Sequence, residues 1–268
     1  MFSWTSFAAD GPQLPEIPPQ PIAVKKELLF SDDFEGKERD KRWHRVVDTF
    51  TFGKGALQGT QTRVQDQPSQ DGKPAIKAHA AVDGLELPTK DSVVEVKMRF
   101  EGCTMMDVEF DDRKYTGSHY GHLCRARIRP DKVTVMDERE GSQNQVIKAM
   151  REDPAKTAEV TKLMEGKNAT FPVSLQPDQI YTVVVETVGG EMRVSIDGKP
   201  VACLKSPGIG HATKSKIELG VAGQSGWFDD IKIWNAAPVK WRPVRPCGKS
   251  DTRMRTVRFS AWWKIKTE

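Results

Sequence analysis

The feature that most restricts the fold of this chain is a two-residue alternation of apolar and polar side chains. It is clearest in residues 93–100, where Val94, Val96, Met98 and Phe100 alternate with mostly charged neighbours. Successive side chains of a β-strand point to opposite faces, so this pattern predicts a strand with one buried side and one solvent-facing side. One-sided burial is typical of antiparallel sheets.

Further apolar runs recur at roughly 10-residue intervals, which is the spacing of β-sandwiches and barrels. The pairs Gly189-Gly190 and Asp197-Gly198 separate successive runs, and these residues readily adopt the positive φ that tight hairpins require. One segment departs from the β pattern. Asp153 can cap a helix, Pro154 suits its first turn and Gly166 can close it, so the sequence predicts one helix inserted at 153–166.

Composition divides the chain into three parts. Residues 1–26 read as a disordered lead or the remnant of a secretion signal, because five prolines lie between Pro12 and Pro21. Residues 27–235 form the predicted domain, and residues 236–268 form a basic tail. The tail holds nine Lys or Arg against two acids, a net charge of +7, so the remaining chain carries 4 − 7 = −3 of the overall +4.

Both ends of the predicted domain carry distinctive motifs. They are Phe30-Ser31-Asp32-Asp33-Phe34, Trp43 and Gly55-Ala56-Leu57 near its start, and residues 181–186, 194–199 and 227–234 near its end. These resemble the first and last strands of concanavalin-A-like (laminin-G-like) lectin and glucanase domains from bacterial secreted proteins, nearest the group labelled 3-keto-disaccharide hydrolase. The resemblance implies an all-β fold, a two-sheet antiparallel jelly-roll sandwich, and a secreted, periplasmic or cell-envelope location.

Three carboxylates, Asp107, Glu109 and Asp111, stand at alternate positions and so share one face of a strand. In the β-glucanase relatives, a strand with Glu-x-Asp-x-Glu spacing holds the nucleophile, a helper and the general acid, so the resemblance makes these three residues the candidate catalytic acids. This chain departs from that pattern, because Asp107 and Asp111 replace the longer Glu. The alternative interpretation is a solvated acidic face.

A loop rich in glycine and polar residues follows the three acids. His119, Tyr120, His122 and Arg125 offer a ring for stacking and polar groups for hydroxyls, the mixture that a carbohydrate site needs. The same composition is typical of a hairpin loop without a ligand. If His122 faces inward, it is instead a hydrogen-bonded histidine of the core.

Asp33 and Asp229 are the candidate metal ligands, since the resemblance brings the first and last strands together and such sandwiches often hold a structural calcium ion. Aspartates that cap turns are the alternative. The sequence indicates no other cofactor.

The basic tail contains Trp241, Trp262 and Trp263, a composition suited to docking a protein or another anionic partner. No nucleic-acid-binding fold accompanies it, so nucleic acid is not a predicted partner. No segment has the ~20 apolar residues of a transmembrane helix.

Three functional hypotheses remain open at this stage. The first is binding of a polysaccharide or oligosaccharide by a secreted or envelope-associated domain. The second is a glycoside hydrolase that uses the carboxylate cluster of the predicted strand. The third is a structural or protein-interaction domain, and the sequence does not decide whether the protein is an enzyme.

Overall fold

A computed structural model describes residues 14–36, 38–46, 49–53, 55–70 and 72–240, and strands dominate it. The strands are β1 (Ala23–Asp32), β2 (Trp43–Arg45), β3 (Phe50–Gly53), β4 (Ala56–Thr60), β5 (Ala81–Thr89), β6 (Ser92–Asp111), β7 (His122–Ile128), β8 (Lys132–Asp137), β9 (Asn168–Pro172), β10 (Ile180–Val188), β11 (Glu191–Ile196), β12 (Lys199–Lys205) and β13 (Lys214–Pro238). The helices are α1 (Gln145–Met150) and α2 (Thr157–Leu163), with short 3-10 turns at His119–Gly121, Pro154–Lys156 and Pro207–Gly210.

Two long antiparallel strands, β6 and β13, run through both layers of a sandwich. The first half of β6 and the second half of β13 belong to sheet I, ordered β12-β11-β10-β6-β13, with β1 and the β4-β3 pair beyond β13. The other halves belong to sheet II, ordered β9-β8-β7-β6-β13-β5-β2. The β6-β13 register shifts near Gly102 and Gly223, which have φ of 75° and 98°, so glycines permit the irregular backbone between the sheets.

The core lies between the two sheets and follows the alternation that the sequence predicts. Val94, Val96, Met98 and Phe100 of sheet I are buried in one apolar cluster with residues of sheet II such as Val108. This confirms the prediction of an all-β, two-sheet antiparallel jelly-roll sandwich. The glycine pair at 189–190 and the turn at 197–198 close hairpins as predicted, with positive φ at Gly189, Asp197 and Gly198.

The inserted helix is confirmed, and its local signals act as predicted. The Asp153 side chain accepts a hydrogen bond from the Ala155 amide, a 3-10 turn begins at Pro154 and continues into α2, and Gly166 adopts a φ of 67° after the helix. The short helix α1 was not predicted. Asn144 caps it by accepting hydrogen bonds from the amides of its first turn.

The division of the chain into a lead, a domain at 27–235 and a tail stays a prediction, and the structure describes contacts on both sides of that range. Strand β1 begins at Ala23, which pairs with Pro238 at the end of β13. Before β1, Ile17 packs against the core, and the buried Arg193 donates a 2.9 Å hydrogen bond to the Pro18 carbonyl. The latter part of the predicted lead is therefore in contact with the sandwich. Residues 1–13 and 241–268, including the three tail tryptophans, lie outside the described residues.

Within the described residues, no helix is long and apolar enough to span a membrane.

Phe228 provides a test of the shared core. It is fully buried and stacks on Phe50 with ring centroids 6.3 Å apart. We expect Phe228→Ala to lower the free energy of unfolding by about 3 to 5 kcal/mol, because it leaves a cavity. The matched control is Tyr120→Ala, which removes a ring that is 80% exposed and should change stability by less than about 0.5 kcal/mol. If urea denaturation shows equal losses of stability for the two variants, Phe228 is not part of a shared core.

Candidate functional site

The outer face of sheet II carries three rows of side chains that run across adjacent strands. Each row takes one residue from β7, one from β6 and one from β13. The rows are Arg125, Glu109 and Glu218; Arg127, Asp107 and Gly220; and His122, Asp111 and Lys216. Cross-strand neighbours on one face are close enough to interact, so this register sets cations beside the β6 carboxylates.

Arg125 lies at the centre of these rows and contacts three carboxylates. Its guanidinium is 2.8 Å from Asp107, 2.6 Å from Glu109 and 2.9 Å from Glu138, which follows β8. Arg127 adds a second guanidinium at 2.8 Å from Asp107. Both oxygens of Asp107 therefore accept hydrogen bonds from arginines.

The third β6 carboxylate, Asp111, is paired with His122 of β7 and Lys216 of β13. The Nδ1 atom of His122 lies 2.7 Å from Glu109 and 3.0 Å from Asp111. Lys216 contacts Asp111 at 3.0 Å and also pairs with Glu218. We call these paired residues the charge network; they are Asp107, Glu109, Asp111, His122, Arg125, Arg127, Glu138, Lys216 and Glu218.

Burial and charge act in opposite directions on the pKa values of this network. Burial raises the pKa of Glu109 well above its usual range, despite the nearby Arg125, and the charges of Asp111 and Glu138 raise it further. Burial acts likewise on Asp107, but Arg125 and Arg127 outweigh it and hold the pKa of Asp107 below its usual value. Glu109 is therefore the β6 acid that most readily takes up a proton.

In His122, nearby charges outweigh burial and raise the pKa. Burial lowers it, but the adjacent Asp111 and Glu109 carboxylates prevail and raise the pKa of His122 to about 10. His122 is therefore an imidazolium at neutral pH, and it supplies a positive charge to the network.

Six residues of the charge network form the floor of an open cleft of about 980 Å³; they are Asp107, Glu109, His122, Arg125, Lys216 and Glu218. Arg63 and His79 line one part of its wall, and His44, Arg113 and Tyr120 line other parts. The Tyr120 side chain is 80% exposed, and its φ of 50° is unusual for a residue other than glycine. The His44 ring lies against Gly84, where a Cβ atom would come within 2.2 Å of it. The absence of a side chain at residue 84 therefore makes room for this wall.

The structure brings most of the predicted site residues together. Asp107, Glu109, Tyr120, His122 and Arg125 all line the cleft. His122 faces the carboxylates on the outer side of the sheet, not the core.

Two of the predicted residues lie at or beyond the edge of this arrangement. Asp111 belongs to the network but is fully buried and does not line the cleft. The His119 ring is 6.0 Å from that of His122, and it is also outside the lining. The catalytic and carbohydrate-binding roles of all these residues stay predictions.

The predicted calcium ligands, Asp33 and Asp229, lie apart from the cleft. Burial and the charge of the adjacent Asp230 raise the pKa of Asp229, and the charge of Asp33 adds a smaller contribution. The two predicted ligands are therefore near neighbours. One oxygen of each accepts a hydrogen bond from a nearby backbone amide, as in turn-capping aspartates. A calcium ion there stays a prediction.

Two groups of three potential metal ligands occur among the described residues, both within the charge network. They are Glu109, His122 and Glu138, and Asp111, His122 and Glu218. Arg125 already pairs with both acids of the first group, and Lys216 pairs with both acids of the second. These cations occupy the carboxylates that a metal ion would need, so we assign no metal to the network.

Sequence reasoning missed Arg127, Glu138, Lys216 and Glu218, and also the cleft walls. A signal for part of this set exists, because Lys216, Glu218 and Gly220 alternate along one face of β13. That alternation does not indicate which strand lies next to β13. The pairing of β13 with β6 determines which residues form the charge network.

Comparisons with known proteins establish the fold and not the activity. No family model matches the chain, and no curated protein matches it in sequence. The laminarinase catalytic domain from Thermotoga maritima matches with a TM-score of 0.53 and 12% identity over 78% of this chain and 98% of that one. The laminarinase from Rhodothermus marinus matches with a TM-score of 0.52 and 11% identity over 81% of this chain and 99% of the laminarinase. SCLam, a non-specific endo-beta-1,3(4)-glucanase, matches with a TM-score of 0.53 and 11% identity over 83% of this chain and 96% of the glucanase. These similarities support the jelly-roll sandwich.

Removing the central cation should destabilise the protein strongly. We expect Arg125→Met to lower the free energy of unfolding by about 3 to 5 kcal/mol, because it leaves buried carboxylates without compensation. The control is Lys77→Met, which breaks an exposed ion pair with Asp66 and should leave the free energy of unfolding nearly unchanged. Urea denaturation compares the two, and similar losses would contradict the central role of Arg125.

The raised pKa of His122 predicts a pH-dependent stability. The folded pKa of about 10 exceeds the ordinary value of 6.5, so the imidazolium stabilises the fold fully below pH 6.5 and progressively less as the pH rises through 10. The stability difference between wild type and His122→Gln should therefore shrink over this interval. Urea denaturation at successive pH values measures it. A difference that stays constant would show that His122 does not act through its charge.

Proposed function

We propose that the cleft on sheet II binds a carbohydrate, as a segment of a polysaccharide. The observation that carries this proposal is the cleft floor, where oppositely charged side chains hold one another in place beneath an open surface. Sugar hydroxyls both donate and accept hydrogen bonds, so they suit a floor that offers carboxylate oxygens and guanidinium N–H groups together. Side chains that are already fixed also lose little conformational entropy on binding.

Tyr120 supports the same proposal from the wall of the cleft. Its ring is exposed, and the His119 ring lies beside it with centroids 4.3 Å apart. A tyrosine combines a broad apolar face with a polar hydroxyl, and a pyranose ring offers an apolar face with a polar rim. The ring of Tyr120 is thus suited to stack on a sugar above the polar floor.

The structural similarities favour this class of ligand over others. The compared proteins with TM-scores above 0.5 are described as laminarinases and an endo-glucanase, which act on polysaccharides. Fold alone does not transmit function, so the similarity adds to the chemistry of the cleft and does not replace it. A secreted or cell-envelope location is part of this proposal, because polysaccharides are mostly found there.

The second candidate is an enzyme that cleaves a glycosidic bond, and the raised pKa of Glu109 favours it. A raised pKa lets a carboxyl group hold its proton to a higher pH, which is the property that a general acid at a leaving-group oxygen requires. A retaining mechanism also needs a free carboxylate as nucleophile. Asp107 is held by two arginines and Asp111 is fully buried, so neither suits that role. The finer label of 3-keto-disaccharide hydrolase and the interaction-domain hypothesis stay predictions.

Affinity electrophoresis in native gels that contain laminarin, mixed-linkage β-glucan, xylan or pectin tests the proposal. Wild type should be retarded by at least one of these polymers, and Tyr120→Ala should weaken binding roughly tenfold, a loss of about 1.4 kcal/mol in stacking. The matched control is Glu159→Gln in α2, which should bind as wild type does. Migration of wild type unaffected by every polymer would refute the proposal.

Glu109→Gln separates binding from catalysis. It keeps the size of the side chain and removes the titratable proton. Polymer binding that persists without any release of reducing ends from wild type supports a binding domain. Release of reducing ends by wild type that Glu109→Gln abolishes, with polymer binding retained, supports the enzyme instead.

A further inference from the structure

A tryptophan stands on the outer face of sheet I, on the opposite side of the sandwich from the cleft. The alternation along β13 buries Phe228 completely in the core and directs its neighbour Trp227 outward. The strand registers place Trp227 in a row with Ile180 of β10, Arg99 of β6 and Gln58 of β4. An aromatic ring this large usually packs into a core, so its position at the middle of an outer face requires an explanation.

The indole ring of Trp227 is fixed in place by polar contacts. Its Nε1 atom donates a hydrogen bond to Glu101, and Gln58 donates a 3.0 Å hydrogen bond to the same carboxylate oxygen. The Arg99 guanidinium lies 4.9 Å from the ring centroid. The ring is therefore an immobilised platform that does not need to be ordered when a ligand arrives.

A cavity of about 270 Å³ opens beside this platform. Trp227, Met98 and Ala56 give it apolar walls, and Lys97, Arg99 and Asp229 place charged groups around it. Ile180, at its border, is 57% exposed. The Nε atom of Arg99 is buried and makes no hydrogen bond to the described part of the chain. A buried donor without a partner is costly, so a ligand that accepts a hydrogen bond there would relieve that cost.

We propose that this surface is a second carbohydrate-binding site, with Trp227 as its stacking platform and Arg99 as a hydrogen-bond donor. A sugar ring has an apolar face for the indole and hydroxyl oxygens for Arg99 and Lys97. A purely apolar ligand would leave the buried Arg99 Nε atom without a hydrogen-bond partner. A nucleic acid would meet Asp229, Asp230 and Glu101 in a part of the chain with net charge −3, which disfavours a polyanion.

The choice of ligand class rests on the proposed function of the cleft, but the site itself does not. The two sites lie on opposite outer faces, so one polysaccharide chain or two neighbouring chains can engage both. Linked binding of this kind increases retention on a polymer well beyond the affinity of either site.

Trp227→Ala tests this second site in the same polysaccharide gels. We expect retention on the polymer to weaken roughly tenfold, as when one of two linked sites is lost. The matched control is Trp234→Ala, because Trp234 also lies on β13 outside the main core but does not line this cavity. Thermal unfolding verifies that each variant is folded, and Trp227→Phe, which keeps a flat ring, should retain most of the binding.

The outcomes separate the two proposals. Retention by Trp227→Ala equal to that of Trp234→Ala overturns the second site, whatever Tyr120→Ala does. Loss with Trp227→Ala but not with Tyr120→Ala supports the second site and contradicts the cleft. Wild type that binds none of the polymers, or that binds single-stranded DNA through Trp227 instead, overturns the assignment to carbohydrate.

Discussion

The arrangement of sheet II depends on one buried guanidinium. Arg125 is the cation shared by Asp107, Glu109 and Glu138, and each of these acids is almost completely inaccessible to water. Taking ionised carboxylates out of water costs several kcal/mol each, and only a well-placed opposite charge offsets it. The position of the β7 strand, which carries Arg125 and Arg127, is therefore as necessary to the cleft as the acids of β6.

Two strands connect this network to the rest of the molecule. β6 and β13 pair with each other along nearly their whole length, and they carry five residues of the charge network in sheet II and the Trp227 platform in sheet I. The backbone irregularities at Gly102 and Gly223 lie between the two regions and allow the pair to pass from one sheet to the other. A single core between the sheets then fixes both outer faces, although they are far apart along the surface.

The sequence predicted the parts of this structure that depend on local patterns. Alternation along Val94 to Phe100 located a core strand, and the capping residues Asp153 and Pro154 located the helix. Alternation also placed Asp107, Glu109 and Asp111 on one face. It did not predict that they are buried, because their partners Lys216 and Glu218 are about a hundred residues away and meet them only through strand pairing. The same limit hid the contact between Arg193 and the proline-rich lead.

The chemistry available to the cleft follows from which carboxylates remain unoccupied. The resemblance of the sequence to β-glucanase domains predicted that the three acids of β6 act as a catalytic set. In this chain the arginines pair with Asp107, while His122 and Lys216 pair with Asp111, so the charge of each acid is already compensated. Glu109 is also paired, with Arg125 and His122, but both cations contact the same oxygen, Oε1; burial raises its pKa, and its side chain lines the cleft. A strand spacing alone therefore cannot define a catalytic site, since the cations on adjacent strands decide which acids are free to react.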